Sequence, residues 1–205
     1  IKDHKISKEI EDKIIKKITL LAPKLDGIMI SDFVYGVITN KILESITKLS
    51  EQFGIKLYGD LQCSSQVGKV SKFSGFDLIT PTEKESRIAL EDNESGIEWI
   101  ANTLMNNTNS KNMLIKLGSD GFIAYGNTKS SIERQNFPAL VVNPVDVTGA
   151  GDSLFAAMSV SLSSGASLIE ASAIGVCMAS LAVKEVGNTA ITKEKLSNCI
   201  VDILN

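Results

Sequence analysis

The chain has 205 residues, 43% of them hydrophobic and 22% charged, with a formal net charge of -3. This composition supplies a core for one globular domain, or one and a part, and excludes a disordered chain. With no Lys/Arg run beyond pairs such as Lys16 and Lys17, neither nucleic acid nor an anionic membrane surface is expected as a partner.

The three cysteines, Cys63, Cys177 and Cys199, are odd in number and lack C-x-x-C spacing. A disulfide framework or a cysteine zinc site is therefore not expected, and the compartment reads as reducing and cytoplasmic. No apolar run approaches the roughly 18 to 20 residues of a membrane span, and the opening IKDHKISKEI lacks a signal-peptide apolar region. The expectation is a protein neither secreted nor anchored. The first residue is not Met, which suggests an internal boundary of a longer chain.

In chain order, Ile10, Ile14, Ile18 and Leu21 after Ser7 recur at helical spacing and predict an amphipathic helix closed before Pro23. GIMIS (27 to 31) reads as a buried strand. Thr39 reads as the N-cap of a second helix bearing Ile42, Ile46, Leu49 and Phe53, with Gly54 just past its end. IKLYGD and FDLIT read as two more strands, and Thr82 with Glu85 forms a T-x-x-E capping box that opens the next helix.

Ile97, Ile100, Ala101 and Leu104 mark a further helix, and NMLIKLG the strand after it. This βαβα alternation predicts a mostly parallel, doubly wound α/β sheet with helices on both faces. Beyond the turn GSDG, the segments GFIAYG, one ending near Phe137, and ALVVNPVD read as an antiparallel edge. The remainder reads as helices over about 150 to 164, 167 to 185 and 192 to 204. With no repeat, low-complexity tract or linker, residues 1–205 read as one domain.

In open α/β sheets, ligands gather beyond the C-terminal ends of the strands. Asp32, Asp60, Thr80 to Glu85, Gly118 to Gly121 and Asp146 to Asp152 are all expected at such ends. Among them DVTGAGDSLF (146 to 155) carries the sharpest signal. Successive N–H groups in a Gly-rich turn entering a helix have no intrahelical partner, and together with the helix dipole they form an anion site. Gly149, Ala150 and Gly151 are small enough to admit a phosphate, and Asp152 stands where its carboxylate could take a proton from a hydroxyl facing that phosphate. The same residues also suit a plain tight turn with an acidic helix start. Likewise Thr82 and Glu85 suit a cap, and GSDG a hairpin turn.

His4 is the only histidine, so no Ser-His-Asp or histidine metal site can be built from this chain. Trp99, with Ile97 and Ile100, and Cys177 read as core.

DVTGAGDSLF resembles the D-T-x-G-A-G-D-x-F signature of the PfkB/ribokinase family of carbohydrate kinases, with Val147 where Thr is commoner. LITPTEKESRIAL resembles the family's T-P-N-x-x-E segment, LIKLGSDGFIAYG its nucleotide-holding strand-turn-strand, and ASLAVKEVGNTAI the late helix and turn beside the base. The resemblance covers essentially the whole chain and implies the ribokinase-like fold, lacking the family's N-terminal part and its β lid.

It implies ATP and Mg²⁺ as cofactors, a sugar or sugar-phosphate acceptor, and a homodimer among the assembly states. Asp152 would be the catalytic base, and the backbone of Gly149, Ala150 and Gly151 the anion hole. Lys116, Gly118, Gly121 and Thr148 would line the nucleotide, with Gly187 and Asn188 near the adenine. Glu85 would organise Mg²⁺ through water, Asp146 would offer a position for a monovalent cation such as K⁺, and Asp32 would contact the acceptor. Thr82 stands where the family has Asn.

LDGIMISDFVYGVIT with GIKLYGDLQCSSQ is most similar to the branch that phosphorylates heptose 7-phosphate for ADP-heptose synthesis. Asp32, Gly36, Val37 and Asp60 match that branch, whereas Leu61 and Gln62 replace its Pro-Lys. A nucleoside or vitamin-precursor kinase, or a non-catalytic nucleotide-binding module, are the alternatives.

Overall fold

A computed structural model describes residues 4–62, 69–127, 132–141, 143–187 and 189–204. The chain divides between Lys111 and Asn112 into two compact units.

In the first unit, α1 (Lys8–Leu21) starts at Ser7, whose hydroxyl accepts the Ile10 N–H, and a short 3₁₀ turn containing Pro23 ends it. Strand β1 (Gly27–Asp32) follows. Helix α2 (Asn40–Phe53) is capped by Thr39 and terminated by Gly54 in the left-handed region, as its sequence predicts. Then come β2 (Lys56–Leu61), β3 (Leu78–Ile79), α3 (Glu83–Leu90) and α4 (Ile97–Thr108). The three strands are parallel, with β1 in register with β2 from Gly27 opposite Lys56 to Asp32 opposite Leu61, and β2 in turn beside β3.

Helix α2 turns Ile42, Leu43, Ile46 and Leu49 inward at helical spacing. Leu49 joins Ala22 and Ile55 in a cluster flanked by Ile18, Leu25 and Ile28. The ladder of β3 is shorter than FDLIT suggests. Asp77 N–H and Thr80 N–H still donate to Leu57 and Gly59 carbonyls, and Pro81, having no N–H, cannot continue the pairing.

The second unit holds β4 (Asn112–Lys116), β5 (Phe122–Asn127) and β6 (Ile132–Phe137), then α5 (Ala150–Ser163), α6 (Leu168–Ala182) and α7 (Lys193–Leu204). Its strands form an antiparallel meander, with Lys116 opposite Phe122 and Phe122 opposite Phe137. The Phe122 and Phe137 rings stack with centroids 5.1 Å apart. Helix α6 opens on a second capping box, Ser167 with Glu170.

The expectation of a strand over ALVVNPVD is corrected: the described residues between 139 and 146 form none. Pro144 has no N–H to give to a ladder. The N–H groups of Val145 and Asp146 both donate to the Val183 carbonyl at the end of α6, so that backbone is tied to a helix terminus instead. Among the described residues no helix is long and apolar enough to cross a membrane.

Candidate functional site

In the first unit the candidate residues stand at the C-terminal ends of its parallel strands. Asp32 closes β1 and is buried; its Oδ1 accepts the Val34 N–H at 2.8 Å, and its Oδ2 is ion-paired with Lys72. Val34 is held at φ 62°. For a β-branched residue this left-handed conformation costs of order 1–3 kcal/mol and persists only where the surroundings impose it. On the next strand, the buried Asp60 accepts the Thr80 hydroxyl at 2.6 Å.

Glu85 lies in the first turn of α3. Its Oε2 accepts the Thr82 N–H at 2.8 Å while Thr82 Oγ1 accepts the Glu85 N–H at 3.2 Å, so both halves of the predicted capping box are made. One carboxylate oxygen of Glu85 is thereby committed to capping the start of the helix.

In the second unit, Lys116 ends β4, and Gly118 opens the 3₁₀ turn to Gly121 that joins β4 to β5. The hairpin reading of GSDG is thus met. The DVTGAGD segment forms the entry to α5. Gly149 is its N-cap at φ 76°, ψ 0°, and no side chain caps the helix, whereas α1, α2, α3 and α6 are capped by Ser7, Thr39, Thr82 and Ser167. A left-handed N-cap favours glycine because any β-carbon there meets the following carbonyl.

The helix start therefore combines small residues, a positive dipole end and backbone N–H groups without a side-chain acceptor at the cap. Lys116 brings a cation to the same place, since a β-carbon on Gly151 would stand 3.8 Å from its Nζ. Asp152 is half-buried in the first turn, while Leu154 and Phe155 just after it are buried and anchor the helix.

Asp146 ties this entry to the end of α6. Its Oδ1 accepts the Thr148 N–H and its Oδ2 the Gly187 N–H, each at 2.9 Å. Hydrogen bonds from Thr148, side chain first and then backbone, and from Gly187 hold its carboxyl below the ordinary carboxylate value. Thr148 and Gly187, both predicted near nucleotide, are thus joined through one carboxylate. Asn188 lies outside the described residues.

Among the described residues no group of three or more His, Cys, Asp and Glu could hold a metal. Mg²⁺ is usually held by only one or two carboxylates together with waters and substrate phosphates, so it does not require such a cluster. A carboxylate has about four lone-pair positions, so the N–H bonds at Asp146 leave acceptor capacity for a cation.

The sequence brought out the residues of the α5 entry but not Lys72. Its partner Asp32 is forty residues away, and nothing in the local SKF pattern marks it.

The model of the pfkB family of carbohydrate kinases matches residues 9–195. The bifunctional protein HldE of Geotalea uraniireducens is 28% identical over 191 residues, covering 91% of this chain and 37% of that protein. The chain thus spans less than two fifths of that relative's length. Phosphofructokinase-2 from Escherichia coli, solved in complex with potassium, superposes with a TM-score of 0.78 at 18% identity, over 98% of this chain and 64% of that one. Arabidopsis thaliana ribokinase, solved with ribose and ATP, gives 0.75 at 19% identity, over 92% and 59%. These likenesses show the ribokinase-like α/β fold.

Proposed function

The chain belongs to the pfkB family of carbohydrate kinases, and from that premise we propose that it serves an ATP-dependent kinase transferring a γ-phosphoryl group to a hydroxyl of a sugar or sugar phosphate. The observation that carries the reading is the start of α5, where a left-handed glycine opens a helix that no side chain caps and Asp152 sits in the first turn.

Phosphoryl transfer needs positioning and charge neutralisation more than covalent chemistry. The backbone of Gly149, Ala150 and Gly151 would hold the developing charge on the transferring group, with Lys116 adding a positive charge beside Gly151. Asp152 would accept the proton of the attacking hydroxyl. Mg-ATP, when bound, supplies the phosphoryl group and a divalent charge. Glu85 is the proposed residue for orienting that ion through water, and Gly118, Gly121, Thr148 and Gly187 the proposed nucleotide contacts, with Asp146 fixing Thr148 and Gly187.

Heptose 7-phosphate is the proposed acceptor. Support comes from Asp32, Gly36, Val37 and Asp60, which fit the heptose branch, and from the similarity to HldE. The test is ADP release by the full-length protein with Mg-ATP across sugars and sugar phosphates, beside the Asp152→Asn variant. Acceptor-dependent release should fall at least about 10²-fold in the variant, with nucleotide affinity nearly unchanged; equal release by both would sink the reading.

A second reading, a nucleotide-binding module without catalysis, is favoured by the Glu85 oxygen committed to the Thr82 N–H. It predicts that ATP binds but no acceptor stimulates release.

A further inference from the structure

The ion pair between Lys72 and Asp32 is built from several sides. Lys72 ends a 3₁₀ turn, Val70–Lys72, and Val70, which opens the turn, and Phe73, which follows Lys72, are both buried. Phe73 lies flat against the backbone of β2, where a β-carbon on Gly59 would stand 2.7 Å from its Cγ. It also packs on Phe76 with centroids 5.1 Å apart. Glycine at 59 is therefore what lets the turn seat so closely on the strand. The Lys72 amine, 5.3 Å from the Phe73 ring centroid, is held in place by this packing.

On the opposite side, Asp32 is fixed by the Val34 N–H, which in turn secures the left-handed Val34. The side chains of Lys72 and Asp32 retain 21% and 5% exposure, so the pair is largely desolvated while the lysine keeps some access to solvent. Burial lowers the affinity of the Lys72 amine for its proton.

Partly buried ion pairs contribute little net stability, because desolvation offsets their attraction. This one stands at the C-terminal end of β1, where ligands of α/β sheets collect. As a pair it carries no net charge. It presents an ammonium with three donors beside a carboxylate with several acceptor positions. A phosphate gains little from such a neutral dipole, whereas adjacent hydroxyls, each both donor and acceptor, complement it.

We propose that Lys72 is a specificity-determining residue of the acceptor site, reading neighbouring hydroxyl groups of a polyol acceptor jointly with Asp32. This rests on the kinase reading above, and the sequence itself gave no hint of Lys72.

The test compares full-length wild type, Lys72→Met and Lys72→Arg on an acceptor that supports turnover and on its singly deoxygenated analogues. Nucleotide affinity and melting temperature are measured alongside. In Lys72→Met the acceptor KM is expected to rise about 10- to 100-fold, the effect of one lost hydrogen bond to a charged group. Saturating kcat and nucleotide affinity should hold within about threefold, and Lys72→Arg should recover part of the loss. One deoxy analogue should be used equally by wild type and Lys72→Met, identifying the hydroxyl that is read.

The proposal is overturned if every deoxy analogue shows the same wild-type-to-variant ratio as the parent acceptor, or if the loss is confined to kcat. It is overturned equally if the loss follows an acceptor's phosphate rather than its hydroxyls. If wild type turns over no acceptor, the kinase reading fails by itself. Calorimetric titration of the same polyols then decides for Lys72: weaker binding to Lys72→Met supports it and equal binding overturns it. Should Lys72→Met melt too low to assay, Lys72→Arg carries the same comparison, a raised acceptor KM supporting the proposal and an unchanged one overturning it.

Discussion

Asp146 accepts from two backbone donors, Thr148 N–H and, forty-one residues from the aspartate, Gly187 N–H, and its charge strengthens both bonds. Its folded pKa lies below the ordinary 3.8. By linkage its stabilising contribution is present above about pH 4 and is lost as pH falls through the lower, folded value. The melting temperature of wild type should therefore exceed that of Asp146→Asn near neutrality, and the gap should close in strong acid. A gap that persists in strong acid would assign the difference to something other than this ionisation. Gly149→Ala, which forces a β-carbon into the left-handed region, should cost about 1–2 kcal/mol in urea denaturation and weaken nucleotide binding. The two residues differ in how readable they are. The conformation at Gly149 follows from neighbours in sequence, so the motif exposes it. The clasp made by Asp146 and the ion pair of Asp32 with Lys72 exist only after distant segments meet, and no spacing rule reaches them.

At the level of elements, helix ends were legible because caps are local chemistry. Ser7, Thr39, Gly54 and the Thr82–Glu85 box all act at the predicted ends. Thr82→Ala should cost about 1 kcal/mol by losing the cap, read as a lower denaturation midpoint with unchanged slope. Strands were less legible. An extended stretch becomes a strand only if a partner arrives, and for Val145 and Asp146 the partner is the Val183 carbonyl rather than a neighbouring ladder. The face between α6 and α7 offers a separate check. The Cys177 thiol, 3% exposed, is pushed up to about 11 by burial, then by the charge and hydrogen bond of Cys199. The Ser180 hydroxyl donates to the Cys177 carbonyl and lies 3.7 Å from Cys199 Sγ. Because the thiolate is the reacting form, iodoacetamide at pH 8 should label Cys199 well before Cys177, as followed by peptide mass spectrometry; equal rates would mean that α7 opens on the labelling timescale.

For the whole molecule, alternation of strand and helix predicted parallel pairing, and the first unit has it. The short segments after Gly118 predicted antiparallel pairing, realised in the second. The division between Lys111 and Asn112 was not legible, since composition does not change there and only the assembled packing defines it. If the α5 entry binds nucleotide as proposed, Mg-ATP should raise the melting temperature in a concentration-dependent way, by about 2.7 kcal/mol of added stability at a hundred times Kd. Asp152→Asn should show nearly the same rise, because the variant removes a proton acceptor and not the backbone cradle. No rise in either protein would count against nucleotide binding by this chain.

The tether from the 145–148 segment to Val183 and Gly187 also bears on how such a protein can diverge. Surface loops ordinarily accept insertions and deletions at small thermodynamic cost. Here a residue added between Val183 and Gly187 would shift one anchor against the other and pull on the start of α5. Length variation should therefore be selected against in this turn even where side chains drift freely, so that the spacing of anchors, more than their identity, is the inherited trait.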